Sequence, residues 1–210
     1  MELVKFIISF ILHIDEHLVE IISLFDHWTY IVLFLIVFIE TGVVIFPFLP
    51  GDSLLFASGT FASMGSLSLS ILILTFISAA ILGDAVNYYI GQKVGKSVIE
   101  KNRFSRMINR EKMIVAEGFF NRHGGKTIII ARFMPFIRTF VPFVAGASGM
   151  NYRLFTFYNI VGAVLWVLIC TLAGYLFGNL RFVEENFSVV ILIIIFLSIL
   201  PAIFSFFKNR

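Results

Sequence analysis

Two apolar stretches, each interrupted by prolines and carrying charges of one sign, constrain this chain more than any other feature. The first is ETGVVIFPFLPGD over residues 40–52, with Glu40 and Asp52; the second is ARFMPFIRTFVP over residues 131–142, with Arg132 and Arg138. Proline removes a backbone donor and clashes with the preceding turn, so neither stretch is expected to form one straight spanning helix. Irregular backbone at membrane depth survives only where protein covers it or where it lines a watery cavity. Both stretches therefore read as re-entrant hairpins around a site, one bringing carboxylates and the other guanidiniums.

The rest of the chain supplies the membrane. Of its 210 residues 59% are hydrophobic and 14% charged, and the mean hydropathy is +0.97, against an apolar share of roughly 45–50% in soluble domains. The apolar runs are long and continuous, which argues for helices and against an outer-membrane barrel. The fold class expected is an all-α integral membrane protein forming one polytopic domain, residues 1–210. The single cysteine, Cys170, lies inside an apolar run and reads as a small buried hydrophobe, so no disulfide framework exists. Lys5 precedes a short apolar run, but His13, Asp15, Glu16 and His17 stand where small residues would be needed for cleavage, and a signal peptide is not expected.

Charge then sets topology. Residues 93–126 hold nine basic and three acidic side chains, whereas residues 6–92 contain no Lys or Arg. The positive-inside rule makes 93–126 a cytoplasmic loop. The segments that follow are an N-terminal helix over 1–27, spanning or lying on the surface, a hairpin over 28–62 open to the outside, and a transmembrane helix over 67–92. After the basic loop come a second hairpin over 127–150, open to the cytoplasm, and transmembrane helices over 154–179 and 187–207. Hairpin plus span from one side, then hairpin plus span from the other, is an inverted-topology repeat. Faint matches support it: Ala57-Ser58-Gly59 with Ala147-Ser148-Gly149, and Tyr89-Ile90-Gly91 with Tyr175-Leu176-Phe177-Gly178.

A charged side chain at the bilayer centre costs roughly 2.5–3.5 kcal/mol, so Glu40, Asp52, Arg132 and Arg138 would cost on the order of 10 kcal/mol unpaired. They must pair, reach water or neutralise. In the functional reading, Arg132 and Arg138 bind a phosphate with their permanently charged forks. Glu40 and Asp52 take up and release protons, burial favouring the neutral form and the guanidiniums the charged one. In the alternative, all four are fixed salt bridges holding the hairpins closed. Asp84, within the span 67–92, is an accessory candidate for a proton path or for an interhelical hydrogen bond with Asn87 and Tyr88 nearby. Gly42, Gly51, Gly59, Gly146 and Gly149 read as sites of tight turns and close packing.

Several classes lack support. The histidines and the cysteine are scattered without ligand spacing, so no metal is expected. No phosphate-cradling loop is present, no cofactor is implied, and the basic loop is a topology determinant rather than a nucleic-acid surface.

At these residues the sequence resembles the DedA family, also described as the SNARE-associated or VTT-domain family. The resemblance rests on Glu40, Phe46 with Leu49-Pro50-Gly51-Asp52, Gly83-Asp84 with Tyr88-Tyr89 and Gln92, Arg132-Phe133 with Pro135 and Arg138, Pro142, Ala145-Gly146, Trp166, and Gly174-Tyr175. It implies two re-entrant hairpins, the bacterial inner membrane, functional acids at Glu40 and Asp52, and functional arginines at Arg132 and Arg138. Family members are implicated in recycling undecaprenyl phosphate in an ion-coupled manner, and eukaryotic relatives are lipid scramblases.

The function expected is an ion-coupled, proton-driven transporter of a phosphate-headed lipid carrier such as undecaprenyl phosphate, and not an enzyme. Alternatives are a proton antiporter of small cations or drugs, a lipid scramblase, and, least favoured, a membrane lipid phosphatase. The expected partners are a polyprenyl phosphate or phospholipid substrate, membrane lipids and, as an open alternative, further copies of the chain in a homo-oligomer; nucleic acid is not among them.

Overall fold

A computed structural model describes residues 24, 28–42, 51–101, 122–134, 137–178 and 180, with backbone alone over 94–101. The N-terminal helix over 1–27 apart from Leu24, the prolines of 43–50 and the span 187–207 lie outside the described residues. Among the described residues six α-helices follow in order: α1 Thr29–Gly42, α2 Gly51–Ser63, α3 Leu69–Lys101, α4 Lys126–Ala131, α5 Ile137–Ala147 and α6 Tyr152–Phe177. Among the described residues there is no strand. Among the described residues two helical stretches, Leu69–Lys93 and Tyr152–Phe177, are long and apolar enough to cross a membrane.

These helices are built inside out relative to those of a soluble protein. Helix α1 exposes Ile31, Leu35 and Ile39 and buries Leu33, Val37, Glu40 and Thr41. Helix α3 exposes Leu74, Leu82, Val86 and Ile90 but buries Asp84 and Asn87, and α6 exposes Phe157, Ile160 and Ile169 but buries Asn159. Only a third of the most apolar window of α3 or α6 is buried. In water such a surface would cost about 25 cal/mol for each Å² of apolar area left exposed; in hydrocarbon that cost vanishes, and the polar side chains are the ones needing cover. The exposure pattern is that of a membrane protein.

The boundaries differ from the sequence reading in physical ways. Helix α3 continues to Lys101, so the basic segment begins as helix rather than as loop. Nothing between Gln92 and Lys101 breaks it, since the only glycine there, Gly95, costs a helix about 1 kcal/mol. Proline 142, expected to interrupt its stretch, lies inside α5, which runs unbroken from Ile137 to Ala147. Its missing N–H deletes the one bond to the Arg138 carbonyl, while Val141, Pro142 and Phe143 are buried and hold the helix through packing. The stretch leaves the helix at Arg132–Met134, where α4 closes through Phe133 N–H to Ile130 O and Met134 N–H to Ala131 O; Pro135, the other proline expected to break it, lies outside the described residues. Cys170 is half-buried rather than buried.

The chain divides into two compact units. One comprises residues 1–36, 48–76 and 166–210, the other residues 37–47 and 77–165. In the first, Phe56 and Gly59 of α2 lie against Thr171, Gly174 and Tyr175 of α6, so closely that a methyl group on Gly59 would overlap the Thr171 carbonyl and one on Gly174 the Phe56 carbonyl. In the second, Phe143 and Gly146 of α5 lie in the same way against Tyr88, Gly91 and Gln92 of α3, with Gly146 against the Tyr88 carbonyl and Gly91 against that of Phe143. One shift of 87 residues carries Phe56 to Phe143 and Gly59 to Gly146; one shift of 83 carries Tyr88 to Thr171, Gly91 to Gly174 and Gln92 to Tyr175. The Ala-Ser-Gly match of the sequence, 90 residues apart, is therefore three residues out of step with the packing. The glycines that matter are the ones whose missing Cβ lets two backbones meet.

Helices α2 and α5 also end alike. Gly65, at φ +82°, follows α2, with Gly65 N–H to Ala62 O and Ser66 N–H to Phe61 O; Gly149, at φ +74°, follows α5, with Gly149 N–H to Gly146 O and Met150 N–H to Ala145 O. Each is a left-handed glycine turn that satisfies the last carbonyls of its helix. Asn151 then caps α6, its side-chain oxygen accepting from the Arg153 N–H at 2.9 Å.

Candidate functional site

Four of the five charged residues singled out from the sequence fall in the second unit, and they form two pairs. Arg138, in the first turn of α5, bonds through Nη2 to Glu40 Oε1 near the end of α1. Glu40 is fully buried and the Arg138 side chain is 11% exposed. The backbones beside this pair are tied by one amide: Asn87 Nδ2, from α3, donates to the Thr41 carbonyl at 3.2 Å and to the Thr139 carbonyl at 2.6 Å, the neighbours of Glu40 and Arg138. Close approach makes this reach possible. Gly42 and Gly83 meet backbone to backbone, and a methyl group on Gly83 would overlap the Thr41 hydroxyl.

The second pair is Arg132 with Asp84. Arg132 follows α4, is 5% exposed, and its Nη2 bonds both Asp84 Oδ2 on α3 and Asn159 Oδ1 on α6. The Asn159 amide is itself held, Nδ2 donating to the Ile81 carbonyl at 3.1 Å. Gly162, one turn further along α6, opens the space: its missing Cβ would sit 3.1 Å from Arg132 Cδ and 3.2 Å from Nε. Asp84, an accessory candidate in the sequence, is thus the direct partner of one of the two arginines.

Asp52 belongs to the first unit. It stands in the first turn of α2, where the helix dipole favours a carboxylate, and accepts from Trp166 Nε1 at 2.7 Å. Ser53, Ser58 and Thr171 are buried in the same unit, and their hydroxyls have no hydrogen-bond partner among the described residues.

Chemically, such a set can exchange partners. A guanidinium held by a carboxylate presents the fork that also fits a phosphate, and protonating the carboxylate frees it. Buried ion pairs contribute little net stability, because desolvation opposes their attraction.

Sequence reasoning left out Asn159, and it weighed Asn87 only as a neighbour of Asp84. A signal for Asn159 was present: apart from Asn179 at its very end, it is the one amide in the charge-free run 154–179, and an amide in hydrocarbon needs a partner.

Exposed apolar helix faces, buried polar ones and guanidinium–carboxylate pairs closed away from solvent define an all-helical membrane protein with an internal ionic site. A family model for the VTT domain matches residues 49–176. The chain is 47% identical to Protein DedA of Escherichia coli K12, across 100% of its own length and 96% of that protein. It is 44% identical to an uncharacterized membrane protein of Mycobacterium leprae, covering 80% of the chain and 75% of that protein. With the inner membrane protein YqjA of Escherichia coli K12 it shares 36% identity over 78% of the chain and 76% of that protein. No solved structure matches it. The chain belongs to the VTT-domain, or DedA, family of membrane proteins.

Proposed function

We propose that this protein is a proton-coupled transporter of a phosphate-headed lipid carrier, with undecaprenyl phosphate as its substrate, in the bacterial inner membrane. The observation that carries the reading is two guanidiniums, Arg132 buried and Arg138 largely covered, each held by a buried carboxylate: Arg138 by Glu40 and Arg132 by Asp84. An ion pair kept only for stability is a poor use of a low-dielectric interior, where desolvation costs several kcal/mol per charge. A pair that trades one anion for another has a reason to be there.

In this mechanism protonation of Glu40 or Asp84 releases a guanidinium fork, the phosphate head takes the vacated place, and deprotonation returns the carboxylate and expels the head. Asp52, held by Trp166, is a further proton site in the other unit. The polyprenyl tail remains in lipid, so only the head crosses. No bond is made or broken, and the protein is a carrier rather than an enzyme.

The repeated seams are consistent with an alternating-access carrier. The Phe56/Gly59 seam and the Phe143/Gly146 seam repeat one packing pattern, which supports reading the chain as an inverted repeat of two re-entrant hairpins with spans. The test is leaflet-resolved transport of undecaprenyl phosphate by purified protein in vesicles. Arg132→Ala and Arg138→Ala are expected to abolish transport while folded protein remains in the vesicle membrane, and transport retained by either variant refutes the mechanism.

A further inference from the structure

Arg132 is held by two acceptors of different character. Asp84 carries charge and can lose it; Asn159 is neutral and does not titrate. Both meet the same nitrogen, Nη2, from different helices, α3 and α6. Asn159 is 1% exposed, and the bond from its Nδ2 to the Ile81 carbonyl fixes which way the amide points, with its oxygen toward the guanidinium. Gly162 leaves the groove in which the Arg132 stem lies, and Nε, also buried, has no hydrogen-bond partner among the described residues.

The two acceptors solve different problems. Once Asp84 is protonated or displaced, an arginine with no other partner would be left uncompensated in a low-dielectric interior, and its long stem would regain rotamer freedom. A second carboxylate would hold the guanidinium but would also compete with an incoming anion. An amide anchored to backbone holds it without competing. We propose that Asn159 is the positioning residue for anion recognition by Arg132, retaining the guanidinium in place while a phosphate oxygen substitutes for Asp84. The proposal rests on the reading of Arg132 as a phosphate-binding residue.

The test is equilibrium binding of farnesyl phosphate, a short-chain probe, to the full-length protein in nanodiscs, with thermal unfolding measured in parallel. Loss of one hydrogen bond to a charged group predicts affinity about tenfold or more weaker for Asn159→Leu. Asn159→Asp, nearly isosteric, also weakens binding by about tenfold or more, because two carboxylates then flank the guanidinium. The exchanged variant Asp84→Asn/Asn159→Asp restores one acid and one amide around Arg132, and its affinity returns to within about threefold of the starting protein.

A residue that merely packs would not give this pattern, since exchange would compound the damage rather than repair it. Unchanged affinity in Asn159→Leu, or an exchanged variant that is folded yet as weak as Asn159→Asp, overturns the proposal, as does an exchanged variant that cannot fold. Arg132→Ala separates the two levels: full affinity there removes the phosphate reading itself, whereas lost affinity there with no effect of Asn159 substitutions removes only the positioning role.

Discussion

Glu40 sits at no measurable exposure with Arg138 against it, and that ion pair governs how substitutions at either position behave. Removing one member takes from the other its counter-charge in a low-dielectric interior, which costs roughly 3–5 kcal/mol, whereas replacing both by apolar groups of similar volume is close to neutral. Arg138→Met is therefore expected to lower the unfolding midpoint in detergent sharply, and Glu40→Leu/Arg138→Met to recover most of that loss. Transport should stay absent in both. A double variant that regains stability and also transports would show the pair to be scaffolding. Asn87 offers a milder case, since Asn87→Ala removes the amide's two hydrogen bonds to the Thr41 and Thr139 carbonyls, at about 1 kcal/mol each. Chemical denaturation in detergent should report the stability loss, and the transport assay a further loss from the misaligned Glu40–Arg138 pair. From the sequence alone, opposite charges in two broken stretches were enough to pair arginines with acids. They were not enough to choose the acid: Asp84 lies in an unbroken apolar span, and only the geometry of α3 against α4 brings it to Arg132. The partner of Asp52 is an indole on α6, more than a hundred residues away.

At the scale of elements, the glycines separate into two kinds. Gly59, Gly91 and Gly146 lie where another backbone passes within contact, and Gly65, Gly124 and Gly149 at positive φ with open space around the missing Cβ. Alanine at Gly146 must push α5 away from α3 and is expected to cost several times what alanine at Gly65 does, where the left-handed backbone alone opposes it at about 1 kcal/mol. Unfolding of the two single variants under identical conditions checks the order, and equal losses would contradict the packing account. Periodicity and hydropathy were sufficient to locate α3 and α6 within two residues at their starts. They did not reveal that Pro142 is tolerated inside a helix, because tolerance depends on what surrounds the proline, nor did short apolar matches give the register of the two seams, which backbone contact sets.

For the whole molecule, the inverted-repeat proposal makes a topological claim that chemistry at the membrane surface can read. Ser66, after α2, and Arg153, at the start of α6, are both exposed. In a Cys170→Ser background, Ser66→Cys is expected to react with an impermeant thiol reagent from outside intact cells and Arg153→Cys only after the inner face is opened; labelling of both from one side would end the repeat. The all-helical membrane class was legible from composition and from the absence of charge in the long runs. The inside-out faces of α1, α3 and α6, by contrast, required knowing which side of each helix meets protein.

The most direct test of the central claim, that guanidinium forks exchange a carboxylate for a lipid phosphate, is an Arg132→Lys/Arg138→Lys protein assayed for movement of undecaprenyl phosphate between leaflets under an imposed pH gradient. Lysine keeps the charge but not the two-pronged geometry, so the account predicts a folded protein whose phosphate-lipid transport is lost. Transport at the original rate would contradict it, leaving the arginines as counter-charges for the acids and nothing more.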